Sequence, residues 1–120
     1  FPQIIALQSG YCDPLYRAAH AGADDITDGP VKPTIAEGIA IGKPLRAREL
    51  LALAKKYDVR FVHAPENRLL YWRDKLAKKG FYIEHTTSGN FAAWEEYQRL
   101  YGPQSDVLIT LCGAGIKSDH

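Results

Sequence analysis

The amino-acid sequence predicts an α/β fold, a three-layer, mostly parallel sheet with helices on both faces. Three observations predict it. Helical patterns alternate with short apolar runs through the second half of the chain, as strands linked by crossover helices do. The run Val107-Leu108-Ile109-Thr110-Leu111-Cys112 is almost unbroken in its apolarity, which marks a strand buried on both faces in a parallel sheet. The length, 120 residues, is the usual size of one domain, so residues 1–120 are expected to form a single α/β domain.

Ile4-Ile5-Ala6-Leu7 reads as the first strand. Pro14 to Ala21 reads as a short helix with Leu15, Ala18 and Ala19 inward. Gly22 to Lys32 holds Asp24, Asp25, Asp28, Gly29 and Pro30 and reads as a loop. Thr34 to Ile41 is apolar, with Glu37 and Gly38 in its middle. Arg46 to Tyr57 carries Ala47, Leu50, Leu51 and Ala54 at helical spacing, and Val59-Arg60-Phe61-Val62 follows as a strand. Pro65 suits a first helical turn, Glu66 suits a helix N-terminus, and Leu69, Trp72 and Leu76 form the stripe of that helix. Lys78, Lys79 and Gly80 end it. Phe81-Tyr82-Ile83-Glu84 is the next strand. Ser88 caps a helix whose apolar face is Phe91, Trp94, Tyr97 and Tyr101, and Gly102-Pro103 stops it.

Composition narrows the function. Fifteen basic and fourteen acidic residues give a net charge of +1, so neither nucleic acid nor a membrane surface is expected as a partner. No apolar run approaches a membrane span, and no basic n-region with an apolar h-region is visible, so no signal peptide is expected. Cys12 and Cys112 stand far apart without CxxC spacing, so no metal site and no disulfide framework is expected. Free thiols fit a cytoplasmic setting.

In a doubly wound sheet, ligands sit at the C-terminal strand ends, here near Gln8-Ser9-Gly10, His63-Ala64, His85-Thr86-Thr87 and Cys112-Gly113. Three segments stand out near them: Thr34 to Pro44, Glu84 to Asn90, and Thr110 to Lys117. Each has a plain structural reading. Glu37 serves as an exposed helix residue, Thr86-Thr87-Ser88 as a helix cap, and Cys112 as a small core hydrophobe. Gly113-Ala114-Gly115 alone is weak evidence for a phosphate loop.

Taken in order, the three segments resemble the C-terminal part of the fold-type-II pyridoxal-phosphate enzymes, the family of threonine synthase, threonine and serine dehydratases and diaminopropionate ammonia-lyase. "TIAEGIAIGKP" is similar to that family's TIA-[DE]-G segment, "IEHTTSGNFAAW" to its (V/I)EP-x-S-A turn, and "VLITLCGAGIKSD" to its terminal strand. The resemblance implies that Cys112 lies beside the pyridine nitrogen of the cofactor, where a neutral thiol does not force protonation of the ring. It implies that Ala36, Glu37 and Gly38 pass the ring, and that Gly113 belongs to the loop after the terminal strand. Glu84 and Thr87 match a turn that supports the site from behind. His85 replaces the family's usual proline, and Ser88-Gly89 its small alanines.

The resemblance further implies pyridoxal phosphate as cofactor, a small amino acid as substrate, a homodimer as the common assembly, and β- or γ-elimination or replacement as the reaction. "EGIAIG" leans towards the dehydratases and "GAGIK" towards threonine synthase. The family's Schiff-base lysine and glycine-rich phosphate cup lie upstream of the strand that Ile4 to Leu7 resembles. Lys32, Lys43 and Lys117 do not stand in the lysine motif. The expectation is therefore the C-terminal portion of a larger enzyme, forming one wall of the cofactor site, joined by an N-terminal part and inactive alone. The alternative is a non-catalytic binding or interaction domain that keeps the fold without the lysine.

Overall fold

The structure is a computed structural model and describes residues 2–118. Asp119, the last residue of the terminal motif, lies outside the described residues. The order is β1 (Ile5–Ser9), α1 (Pro14–His20), a 3₁₀ turn (Glu37–Ile39), α2 (Ala47–Lys56), β2 (Arg60–Ala64), α3 (Glu66–Ala77), α4 (His85–Tyr101) and a terminal 3₁₀ turn (Gly115–Ser118).

Strands β1 and β2 pair in parallel, from Ile5 opposite Arg60 to Ser9 opposite Ala64. Successive side chains of a strand point to opposite faces, and here the alternation separates two layers of helix. Val62 and Ala64 join the core under α4, while the Arg60 guanidinium donates to the Tyr97 hydroxyl at 2.8 Å. His63 turns the other way and stacks on Tyr16 of α1, with ring centroids 3.7 Å apart. It also meets Asp13 at 2.8 Å through Nε2. Helix α1, with α2 packed against it, thus covers one face, and α4 backed by α3 covers the other.

The core gathers Ala36, Val62, Ala64, Leu69, Trp72, Ala92, Ala93 and Tyr97. Helix α3 enters it through the expected stripe of Leu69, Trp72 and Leu76, all buried. Trp72 lies between Phe91 and Trp94. A bidentate pair joins α3 to α4: Arg68 donates to both oxygens of Glu95, at 2.7 and 2.8 Å. Hydrogen bonding by Arg68 holds the Glu95 carboxyl below the usual carboxylate range.

Several sequence expectations are corrected. Helix α4 begins at His85, so Thr86, Thr87 and Ser88 lie inside its first turns instead of capping it. The Ser88 hydroxyl donates to the His85 carbonyl at 2.6 Å, a bond within the helix. The buried face of α4 runs through Ser88, Gly89, Ala92, Ala93 and Tyr97, and Tyr101 is half exposed. Small residues let this helix lie close on the sheet, and a stripe chosen by side-chain size overlooks them. Leu50 is likewise exposed, on the outer side of α2.

Neither Phe81–Glu84 nor Val107–Cys112 forms a strand. Ile83 makes one antiparallel bridge, to Ala114. Val107, Leu108 and Leu111 are exposed, Leu108 at 97%. A strand needs a backbone partner, and a run apolar on both faces needs cover on both. Residues 107–110 line an open groove with Ile5 and Leu7 of β1 and with Trp94 and Tyr97 of α4, and Val107 and Leu108 stay exposed there. Among the described residues the sheet is two-stranded, and no helix is long and apolar enough to cross a membrane.

Gly89 offers a test of the close helix–sheet contact. A Cβ there would sit 3.6 Å from Leu7 and 3.7 Å from both Ala64 and Leu69, ordinary contact distances. Glycine inside a helix costs about 1 kcal/mol relative to alanine. Gly89→Ala is therefore expected to stabilise the chain by roughly 0.5–1 kcal/mol, read as a higher urea midpoint. A lowered midpoint would mean that the helix lies closer to the sheet than described.

Candidate cofactor site

Helix α4 runs back along the strands. Gly89 lies over Leu7 and Ala64, near their C-terminal ends, while Tyr97 reaches Arg60 at the start of β2. The first turn of α4 therefore stands at the C-terminal edge of the sheet. Two of the segments singled out in the sequence meet that turn.

The Gly38 N–H donates to Thr86 Oγ1 at 2.9 Å. One residue further on, Thr87 Oγ1 accepts the Gly113 N–H at 3.0 Å and donates to the Gly113 carbonyl at 3.3 Å. The Glu84 N–H donates to that same carbonyl at 3.0 Å. A side chain at either glycine would displace a neighbour. A Cβ on Gly38 would fall 2.9 Å from Thr86 Oγ1, and one on Gly113 would fall 2.0 Å from Glu84 Oε1. Glu84, Thr87 and Gly113 are thus brought together, and Gly38 reaches the neighbouring residue, Thr86.

Their neighbours differ in exposure. Ala36 is fully buried in the core, with its N–H bonded to Thr34 and its carbonyl to the Ile39 N–H. The Glu37 and Cys112 side chains are exposed. Cys112 is therefore not the small core hydrophobe of the plain reading; that description fits Cys12, which is 3% exposed. Burial pushes the Cys12 thiol up from its ordinary range, with help from the nearby Asp13 charge.

Three further residues support these segments: Arg73 and Glu66 stand outside the motifs, and Asn90 ends the second of them. Arg73 of α3 donates from Nε to the Ile83 carbonyl at 3.1 Å, and from Nη2 to the Gly115 carbonyl at 3.1 Å and the Tyr82 hydroxyl at 2.9 Å. Its Nη1 lies 3.0 Å from His85 Nε2. A guanidinium only donates, so His85 accepts there through its bare ring nitrogen. This clasp fixes residues 82–85 against 113–115. Asn90 Nδ2 donates to the Thr110 carbonyl at 2.8 Å and ties down the segment before Cys112. Glu66, legible in sequence only as a helix-start residue, accepts from Thr34 Oγ1 at 2.6 Å and from the Ile35 N–H at 2.7 Å. An isolated arginine or glutamate on a helix has no pattern that would single it out. Among the described residues no cluster of three or more His, Cys, Asp or Glu could hold a metal ion.

An open parallel layer, with two glycine-bearing segments converging on one helix turn at the C-terminal strand ends, is the layout of an α/β domain that binds a cofactor or small ligand. The family model for pyridoxal-phosphate dependent enzymes matches residues 1–113. The chain belongs to that family, whose cofactor is pyridoxal phosphate. Among solved structures it is similar to a threonine deaminase from T.th., with a TM-score of 0.66 at 20% identity over 85% of this chain. The match takes in 36% of the threonine deaminase chain, so this chain spans about a third of that structure. No curated protein matches it in sequence.

Two features of these residues are compatible with a cofactor beside them. Both backbone groups of Gly113 are engaged by Glu84 and Thr87, which fixes the loop, and the adjoining Cys112 thiol stays open. The Gly38 side stays flush because a side chain there would meet Thr86.

Proposed function

We propose that this chain is the C-terminal portion of a pyridoxal-phosphate-dependent amino-acid lyase or threonine synthase-like enzyme, and that it forms one wall of the cofactor site. The observation that carries this reading is the attachment of Gly38 and Gly113 to adjacent threonines, Thr86 and Thr87, in the first turn of α4, in a chain of this family. Bound there, the cofactor would supply an electron sink for the carbanion charge left when a substrate proton is removed, the charge that then expels a β or γ substituent. Cys112 presents its thiol to the ring nitrogen, where a carboxylate would force protonation of the ring. The Ala36–Gly38 backbone borders the ring, with Glu37 beside the substrate. Glu84 and Thr87 hold the Cys112-Gly113 turn. The substrate is a small amino acid, and the compartment is cytoplasmic.

Thiol labelling tests the wall. Cys112 is exposed and is expected to react quickly with a disulfide reagent. Cys12 is buried with its thiol pushed up, so it holds little thiolate and reacts slowly. In the intact enzyme, pyridoxal phosphate at about ten times its Kd leaves roughly a tenth of the sites empty, so Cys112 labelling is expected to slow about tenfold while Cys12 serves as the internal reference. Equal Cys112 rates with and without the cofactor would remove it from the site.

A further inference from the structure

We infer that Glu66 is a positioning residue that fixes the Ala36–Gly38 border of the cofactor site; the inference rests on the reading of that border given above. Glu66 opens α3, directly after β2, at the C-terminal edge of the sheet. Its carboxylate faces away from α3 and collects donors from two other segments. One oxygen accepts the Thr34 hydroxyl at 2.6 Å and the Ser9 hydroxyl at 3.4 Å, and the other accepts the Ile35 N–H at 2.7 Å. Ser9 is fully buried and Thr34 nearly so. Thr34 Oγ1 in turn accepts the Ala36 N–H at 3.1 Å.

The consequence is a segment held at both ends. Glu66 fixes residues 34–36 against the ends of β1 and α3, and Thr86 fixes Gly38 against the first turn of α4. The Ala36 side chain is buried between these points. The following 3₁₀ turn closes through the Ile39 N–H to the Ala36 carbonyl at 3.1 Å. The Glu37 and Gly38 backbone therefore has little freedom, although both residues are exposed. An ordinary salt bridge explains none of this, since each of these three donors to Glu66 is a neutral group. A carboxylate suits the task because it offers two acceptor oxygens and no donor.

That requirement defines the test. Glu66→Gln keeps the shape but turns one acceptor into an NH₂ donor, so the Ile35 N–H or the Thr34 hydroxyl loses its partner. In the intact protein without cofactor, amide exchange at Ile35, Ala36 and Gly38 is expected to rise about tenfold or more, with α3 and α4 unchanged. Pyridoxal phosphate, titrated by its own absorbance, is expected to bind several-fold more weakly. Thr34→Val is expected to reproduce both effects and Thr34→Ser to leave both near wild type. Faster exchange throughout α3 and α4 would make Glu66 a general fold determinant and overturn the inference. So would unchanged exchange at Ile35, or local loosening with cofactor affinity intact. A wild-type intact protein that binds no pyridoxal phosphate would instead sink the functional reading, and the exchange pattern would still decide whether Glu66 anchors the segment.

Discussion

Leu69→Ala is expected to destabilise the chain by about 2–5 kcal/mol, the range for a large aliphatic side chain removed from a closed core. Leu69 is fully buried. It belongs to the cluster with Val62, Ala64, Trp72 and Ala92, where α3, α4 and β2 meet. Its neighbours are held by the Arg68–Glu95 pair and by the aromatic contacts of Trp72. Those ties limit how far the site can collapse, which favours the upper part of the range. Domains of this size are stable by only about 5–15 kcal/mol, so the loss is a large fraction of the whole. Urea unfolding measures it. Leu70→Ala is the control, because Leu70 is 55% exposed on the same helix, and its expected change is within about 0.5 kcal/mol. Equal losses at the two positions would mean that α3 faces the core differently.

The second large effect concerns chemistry. In the intact enzyme, Cys112→Asp is expected to lower kcat at least about tenfold. An opposite charge within a few ångströms shifts a titrating group by about 1–3 pKa units, and each unit is about 1.4 kcal/mol between protonation states. A carboxylate at this place would hold the ring nitrogen protonated, where a thiol leaves it free. Cys112→Ser keeps a neutral donor and is expected to retain activity. Steady-state kinetics of the two variants separates charge from mere substitution, and unchanged turnover in the Asp variant would take Cys112 out of the cofactor's surroundings.

Much of this layout is legible in the sequence. Helices α1, α2 and α3 follow from the spacing of Ala18, of Leu51 with Ala54, and of Leu69 with Trp72 and Leu76. Both strands follow from short apolar runs, and β1 and β2 pair as the parallel reading requires. What fails, fails for physical reasons. Val107 to Cys112 reads as a strand because apolar pattern reports what a segment could bury, while a strand also needs a neighbour to bond. The start of α4 is misread because Thr and Ser suit a cap and an early helical turn alike. Here the hydroxyls of Thr86 and Thr87 turn outward to Gly38 and Gly113. The site is legible as three segments, through family resemblance. The residues outside the segments that assemble them, Glu66 and Arg73, act across distances that no local pattern encodes.

The uncovered run from Val107 to Leu111 bears on how the isolated chain behaves in solution. It has high β-propensity and contains no proline and no charge. Segments of that kind are templates for edge-to-edge pairing between molecules. Two copies at high concentration therefore have a route to self-association that owes nothing to the cofactor chemistry, and the same residues that would complete a sheet become the ones that limit solubility.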